Sequence, residues 1–267
     1  MRIAAALLAL PLIAAAPVPD WRPLDPANAL VIDTTKGRIV VEMRPDFAPK
    51  AVERVTLLAR EGVYDGLLFH RVIDGFVDQT GNPNNKDGGT SSHPDLAPEF
   101  SFRLPAGALT PVRQASDGVE GFVGASPVAG VGAEEAKRSP DGKLRAWGAY
   151  CPGTAGMGRQ ADPGTSNSEI FFMRGPSRRL DRDYTVWGQV VQGLDVVRAM
   201  AVGEPPAAPD KMIRVRLAAD LPAAEQPRLE ILNENGPAFA ALVAKTRKAH
   251  GADFSVCDVQ VPVRPAP

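Results

Sequence analysis

The stretch LLFHRVIDGFVDQTG, residues 67–81, places a charged side chain inside an apolar run that is typical of a buried strand. Charged side chains are rarely buried without a partner, so Arg71 needs an explanation. Alternate residues of a strand point to the same side, so a straight strand would put Arg71, Val77 and Gln79 on one face. A bulge in the middle would instead turn Phe76 to that side. Either arrangement combines a guanidinium, an amide and apolar contact on one face.

A purely structural role for this arginine is the alternative. An ion pair of Arg71 with Asp78 or Glu169 would also explain a charged residue here. His70 points to the opposite side and is predicted to be a core histidine. The serine residues show no nucleophile-elbow pattern, so a hydrolase is not predicted. The three histidines and two cysteines lack metal-ligand spacing, which argues against a zinc site.

Composition excludes some classes of partner. The chain has 267 residues, of which 44% are hydrophobic and 23% charged, as in ordinary globular proteins. A formal net charge of -1 argues against nucleic acid or an anionic membrane surface as a partner, since both favour a strongly basic face.

The first residues resemble an export signal. Arg2 supplies the positive charge, the apolar run 3–13 the hydrophobic region, and 14–16 the small residues of a cleavage site. We predict a signal peptide at 1–16 and a periplasmic or secreted protein with no membrane contact after cleavage; an uncleaved anchor is the alternative. In an oxidising compartment Cys151 and Cys257 could form a disulfide, but two free buried thiols fit the sequence equally well.

The pattern along the chain is mostly that of short strands. Residues 29–44 read as a hairpin around a Lys-Gly turn, and Pro49 begins a helix that Gly62 ends. Many short strands and few helices favour a closed or sandwiched β structure. Further strands are predicted at 169–173, 184–191 and 211–217.

Two segments do not follow this pattern. Residues 105–146 are rich in Gly, Ala, Ser and Pro, and so long a structureless loop is uncommon, which predicts an internal hairpin or an insertion. In the tail, 236–251 reads as an amphipathic helix and 254–263 alternates like a strand.

Three segments together resemble a known family. FHRVIDGFVDQTGN (69–82), PGTAGMGRQADPGTSNSEIFFM (152–173) and LDRDYTVWGQVVQGLDVV (180–197) resemble the signature segments of the cyclophilin-type peptidyl-prolyl cis-trans isomerases. The resemblance implies a mainly β fold, a closed eight-stranded antiparallel barrel capped by two helices. It places an isomerase domain at 28–218, with 105–146 as an insertion and 219–267 as a C-terminal extension.

The resemblance also implies roles for individual residues. Arg71 matches the catalytic arginine of the family, and the substrate groove lies on the outer face of the barrel. The matching substrate-binding positions are Phe76, Val77, Gln79, Gly158, Arg159, Glu169, Phe171, Leu180 and Tyr184.

Several of these positions depart from the family pattern. Glu169 stands where Gln is usual, Tyr184 where many members have His, and Val77 where Met is usual. The pair 158–159 replaces a common Ala-Asn or Ala-Arg pair, and Arg179 replaces a tryptophan frequent in eukaryotic members. A carboxylate at 169 could position Arg71 or compete with the substrate for it.

The resemblance implies an isomerase of Xaa-Pro peptide bonds that assists the folding of exported proteins. Its partners would be proline-containing unfolded or partly folded polypeptides. We expect a monomer that needs no cofactor or metal. The alternative is a proline-binding chaperone or scaffold module with weak or no turnover.

Overall fold

The computed structural model describes residues 19–83, 88–105, 107–115 and 118–267, so the predicted signal peptide lies outside the described residues. The strands, in chain order, are β1 (Trp21–Pro23), β2 (Ala29–Thr34), β3 (Gly37–Met43), β4 (Arg71–Ile73), β5 (Val77–Thr80), β6 (Phe102–Leu104), β7 (Thr110–Gln114), β8 (Gly118–Val123), β9 (Ser126–Val131), β10 (Leu144–Gly148), β11 (Thr154–Met157), β12 (Ile170–Met173), β13 (Val186–Gln192), β14 (Met212–Leu217), β15 (Leu229–Leu232) and β16 (Val263–Pro265). The α-helices are α1 (Pro49–Arg60), α2 (Ala133–Arg138), α3 (Leu194–Arg198) and α4 (Pro237–His250).

Eight antiparallel strands form the largest sheet, in the order β14-β2-β3-β13-β11-β12-β5-β4. The backbone draws its two edges together, because Leu68 and Lys211 form a bridge. The amide of Phe69 donates to the Asp210 carbonyl at 2.9 Å, and that of Met212 donates to the Leu67 carbonyl at 2.9 Å. The prediction of a mainly β fold built on eight antiparallel strands is confirmed.

Helix α1 packs against strands β13 and β14 of this curled sheet. Pro49 occupies its first turn, where the missing amide hydrogen costs nothing, and Gly62 follows its end with φ 72°. Val55 and Leu58 recur at helical spacing and are fully buried with strand residues of the main core. The sequence prediction of this helix and of the β2–β3 hairpin is confirmed.

A second antiparallel sheet, ordered β6-β10-β9-β8-β7, occupies residues 102–148. The segment 105–146 therefore holds its own hairpins, and β6 and the end of β10 extend the sheet beyond that segment. Phe102, Val128 and Leu144 join the same buried cluster as the large sheet. The second sheet thus shares the main core.

The C-terminal residues pack against the second sheet and pair with the first described strand. Strands β15 and β16 form a third sheet with β1, and the Phe239 ring on α4 meets the Phe122 ring edge-on at 5.4 Å between centroids. Cys151 and Cys257 form a disulfide, with an S–S distance of 2.00 Å. This settles the alternative that the sequence left open.

The prediction of a strand at 254–263 is wrong. Residues Val256–Asp258 form a 3-10 turn, and only 263 belongs to a strand. The reason is local: the Ser255 hydroxyl accepts from the Cys257 amide at 3.2 Å, and the Asp258 carboxylate accepts from the Ser255 amide at 2.7 Å. Such side-chain contacts compete with strand pairing. None of the helices in the described part of the chain is long and apolar enough to cross a membrane.

Candidate active site

A tight hairpin positions the two polar groups of the site. Strands β4 and β5 pair with Arg71 opposite Gln79, so the chain reverses between them instead of running straight or through a bulge. The Phe76 amide donates to the Ile73 carbonyl at 3.1 Å, and Gly75 has φ 64°, a conformation that favours glycine. Cross-strand opposition therefore brings Arg71 and Gln79 together on one face, as directly opposed side chains are in an antiparallel pair.

Seven of the ten predicted site residues line one small open pocket of about 60 Å³. The Phe171 and Tyr184 rings meet edge-on at 5.8 Å between centroids, and the buried Tyr150 ring stacks behind Phe171 at 5.8 Å. The pocket thus has rigid aromatic walls and one cationic edge. Its lining residues are Arg71, Phe76, Val77, Gln79, Phe171, Leu180 and Tyr184.

Three of the predicted site residues do not line this pocket: Gly158, Arg159 and Glu169. Arg159 and Glu169 instead contact residues that do line it. The Arg159 guanidinium lies 4.4 Å from the Tyr184 ring centroid and donates to the Asp183 carboxylate at 2.7 Å. Gly158 leaves room for Glu169, since a Cβ at 158 would lie 2.1 Å from the Glu169 Oε1 atom. Glycine is therefore required by the glutamate beside it.

Glu169 is connected to Arg71 through Gln79. Its buried carboxylate accepts from Gln79 Nε2 at 2.8 Å and from Asn82 Nδ2 at 3.2 Å, and it lies 3.7 Å from His70 Nε2. The Gln79 carbonyl oxygen in turn accepts from Arg71 Nη1. This relay fixes the orientation of the Gln79 amide, with its oxygen toward the guanidinium and its NH₂ group toward the carboxylate.

The direct ionic partner of Arg71 is Glu204, which the sequence reasoning missed. The Arg71 Nε atom lies 2.7 Å from Glu204 Oε2, and the two side chains are 37% and 53% exposed. Glu204 also lines a second opening of about 400 Å³ on this side, with His70 and Pro205. The guanidinium is therefore held at the surface between two openings.

Asp78 is not a partner of Arg71, because it forms a buried ion pair beneath the hairpin. Its Oδ1 atom accepts from Arg174 Nη1 at 3.0 Å, and both side chains are inaccessible or nearly so. Burial raises the pKa of Asp78 to about 7, although the Arg174 guanidinium opposes the rise. The sequence left open an ion pair between Asp78 and Arg71, but Asp78 pairs with Arg174 instead. Arg71 therefore remains in the lining of the pocket.

Residues 29–217 match the sequence model of the family described as "Cyclophilin type peptidyl-prolyl cis-trans isomerase/CLD". The chain belongs to the cyclophilin-type peptidyl-prolyl cis-trans isomerases. It is 31% identical over 212 residues to the probable peptidyl-prolyl cis-trans isomerase of Brucella suis biovar 1, which covers 73% of this chain and 85% of that protein.

The similarity to a solved cyclophilin covers more of this chain than the match to the family model does. The crystal structure of cyclophilin AquaCyp293 from Hirschia baltica superposes with a TM-score of 0.84 at 33% identity, covering 91% of this chain and 92% of that one. Such coverage exceeds the matched region 29–217, so much of the chain outside that region has a counterpart there.

Proposed function

We propose that this cyclophilin-type enzyme catalyses rotation about Xaa-Pro bonds, with Arg71 as the catalytic residue. The observation that carries the proposal is that Arg71 shares one open pocket with Phe76, Phe171 and Leu180. An apolar, aromatic-walled pocket suits a pyrrolidine ring, and the guanidinium lies at its edge. No step of this reaction needs a nucleophile or a general base.

The chemistry explains why a cation suffices. Resonance gives the peptide C–N bond partial double-bond character and a rotation barrier of about 18–20 kcal/mol. At the twisted transition state the lone pair returns to the proline nitrogen, which then accepts a hydrogen bond that the planar ground state cannot. An Arg71 N–H group that donates to this nitrogen stabilises the twisted form selectively. Arginine stays protonated and has a rigid planar head, so the donor is always present.

Gln79 has the matching role of holding the substrate backbone while the other end turns. Its Nε2 atom carries two hydrogens, of which Glu169 accepts one, so the second can bind a substrate carbonyl. Because its oxygen faces Arg71, the donor is oriented before the substrate arrives. Pre-organisation of this kind lowers the entropic cost of the productive geometry.

We further propose that the enzyme acts on exported proteins in the periplasm or outside the cell. The export-like sequence at 1–16 and the Cys151–Cys257 disulfide support this location, since disulfides persist mainly in oxidising compartments. Uncatalysed prolyl isomerisation takes tens to hundreds of seconds at 25 °C, slow enough to limit folding. Its partners are then unfolded or partly folded polypeptides that contain proline.

A proline-binding module with weak turnover is the second candidate. The observation in its favour is the ion pair between Arg71 and Glu204, because a carboxylate on the guanidinium could compete with the substrate. Both candidates predict that proline-containing peptides bind, but only the isomerase predicts rapid rotation of the Xaa-Pro bond.

An isomerisation assay on an Ala-Pro peptide separates them. We expect Arg71→Ala to lower kcat/KM by about 100-fold or more, as loss of one transition-state donor does elsewhere. Arg71→Lys keeps the charge but loses the fork, and we expect an intermediate rate. Equal rates for wild type and Arg71→Ala, both near background, would favour the binding module.

A further inference from the structure

A second cleft of about 460 Å³ lies beside the proline pocket. One wall comes from the 102–148 sheet and includes Trp147, and the other comes from the segment 178–182. The same short segment serves both cavities, since Leu180 lines the proline pocket while Arg179 lines the cleft. A polypeptide with its proline in the pocket could therefore extend past this turn into the cleft.

The carboxylates of the cleft are already neutralised. Arg178 Nη1 lies 2.6 Å from Glu120 Oε1, and its Nη2 atom lies 2.7 Å from Asp181 Oδ2. Arg113 adds a second cation, 3.0 Å from Glu120 Oε2. These two arginines and two acids form a balanced group. Among the described lining residues, any further cation therefore makes the sum of the charges positive.

The guanidiniums of Arg179 and Arg182 supply that charge, and each packs over an aromatic ring. The Arg182 Cζ atom lies 4.8 Å from the Trp147 ring centroid, and the Arg179 Cζ atom lies 5.0 Å from that of Phe76. Among the described residues neither arginine has a carboxylate within 4.0 Å. A guanidinium that packs over a ring and has no carboxylate partner has N–H groups available to bind a carboxylate in bidentate fashion.

The backbone at Arg182 is also unusual. It has φ 62°, the one positive value among the described residues other than glycine. A residue with a side chain is strained in this region, because its Cβ atom approaches the following carbonyl oxygen. The turn thus presents the guanidinium to the cleft despite a conformational cost.

We propose that this arginine cleft, lined by Trp147, Arg179 and Arg182, binds an acidic side chain of the substrate a few residues from the proline. The inference rests on the proposed function of the neighbouring pocket. Arg179 of the cleft lies 5.0 Å from the Phe76 ring of the pocket, and an extended chain advances about 3.3–3.6 Å per residue, so a short stretch suffices to pass the turn between the two cavities. The cleft would make the enzyme prefer prolines near Asp or Glu.

Isomerisation of extended peptides tests the preference. A proline peptide is prepared with Glu, Ala or Lys at each position two to four residues before or after the proline. We expect wild type to show a kcat/KM about two- to fivefold higher for Glu than for Lys at one or more of these positions, the range expected of an exposed ion pair. The preference should shrink as salt is raised from 0.05 M to 0.5 M.

Two substitutions at one position assign the effect. Arg182→Gln should abolish the preference and Arg182→Glu should reverse it, while a short Ala-Pro peptide is isomerised at the wild-type rate by both. The control for Arg182→Glu is Lys248→Glu, at an exposed position of α4. It makes the same change in net charge and should keep the preference for Glu peptides. An unchanged preference for Glu in Arg182→Glu would overturn the proposal, as would an active wild type that isomerises all of the peptides at equal rates.

Binding without turnover keeps this result separate from the proposed function. Fluorescence anisotropy of labelled Glu and Lys peptides is measured with Arg71→Ala and with Arg71→Ala combined with Arg182→Glu. Tighter binding of the Glu peptide by the first protein and its loss in the second would support the cleft even if wild type has no isomerase activity. Equal affinity for both peptides would overturn the cleft and leave the isomerase proposal intact.

Discussion

The guanidinium of Arg71 is held from two sides by different kinds of partner. Gln79 takes one terminal nitrogen, and Glu204 takes the Nε atom at 2.7 Å. The remaining N–H groups are those that can face a proline nitrogen. Orientation matters here because a donor misplaced by about 1 Å can cost on the order of 100-fold in rate. We therefore interpret Glu204 as a positioning residue.

Removal of the Glu204 side chain tests this interpretation. Glu204→Ala should lower kcat/KM for an Ala-Pro peptide by at most about fivefold, because an exposed ion pair contributes about 1 kcal/mol or less. Glu204→Gln keeps an acceptor for Nε and should recover most of the rate. The loss should appear in kcat with KM little changed, as measured by exchange spectroscopy over a range of peptide concentrations.

A control comes from the third sheet, where Arg264 and Glu230 form a partly exposed pair at 2.7 Å. Glu230→Ala should leave kcat/KM unchanged. A rise in rate for Glu204→Ala would mean that the carboxylate competes with the substrate, and would contradict a positioning role.

The residues of the pocket differ in how far the sequence predicts them. Arg71, Phe171 and Leu180 lie in ordered motifs, so resemblance alone places them, and the structure brings them together. Glu204 lies 133 residues from Arg71 in a loop without periodicity, so no pattern links the two. Contacts between distant loops depend on the fold, which the local sequence does not encode.

At the scale of elements, the β4–β5 hairpin rests on a buried charge pair. Arg174 donates to Asp78 at 3.0 Å and to the exposed Asp74 at 3.2 Å, and it also bonds backbone carbonyls of α3. One arginine thereby ties together the hairpin that carries Arg71, the end of β12 and a helix. Burial raises the pKa of Asp78 to about 7, so its charge changes near neutral pH.

This pair predicts a pH dependence of stability. The folded state holds the Asp78 proton up to about pH 7, whereas the unfolded chain releases it near its ordinary value of 3.8. Between these values the unfolded state binds fewer protons, so the free energy of unfolding falls as pH rises, by about 1.4 kcal/mol per unit of pKa difference. Asp78→Asn mimics the neutral acid and should lack this slope.

Urea unfolding at pH 4, 5, 6, 7 and 8 provides the measurement. The difference in unfolding free energy, wild type minus Asp78→Asn, should decrease from pH 4 to pH 7 and then stay level. A difference that is constant with pH, or one that grows as pH rises, would show that Asp78 is already ionised at pH 5. Comparison of the two proteins cancels the titration of other groups if these do not contact Asp78.

Periodicity predicts some elements and misses others for a physical reason. Helix α1 buries one side, so its apolar residues recur at helical spacing, whereas the β2–β3 hairpin is buried along most of its length and is recognisable from the β-branched runs around its Lys-Gly turn. Strand β9 is buried along its whole length, and β8 nearly so. Strands buried on both faces show no alternation, so the sheet at 102–148 could be predicted only as local hairpins or an insertion.

At the scale of the molecule, the C-terminal extension supports the sheet that forms one wall of the arginine cleft. Phe239 and Phe254 share a buried cluster with Phe122 of β8. The disulfide joins Cys257 of the extension to Cys151, which lies between β10 and β11. The proline pocket lies on the large sheet and does not include any of these residues. Stability and pocket chemistry are therefore separable in this fold.

Removal of the disulfide tests that separation. Cys151→Ala combined with Cys257→Ala should lower the free energy of unfolding by about 2–4 kcal/mol, because a cross-link across a long loop restricts the unfolded chain. The two cysteines are 106 residues apart, which puts the loss toward the upper part of the range. Isomerisation of a short Ala-Pro peptide at 15 °C should remain at the wild-type rate. Dithiothreitol should destabilise wild type to the level of the double variant and leave the variant unaffected. Equal stability of oxidised wild type and the variant would mean that apolar packing alone holds the extension in place.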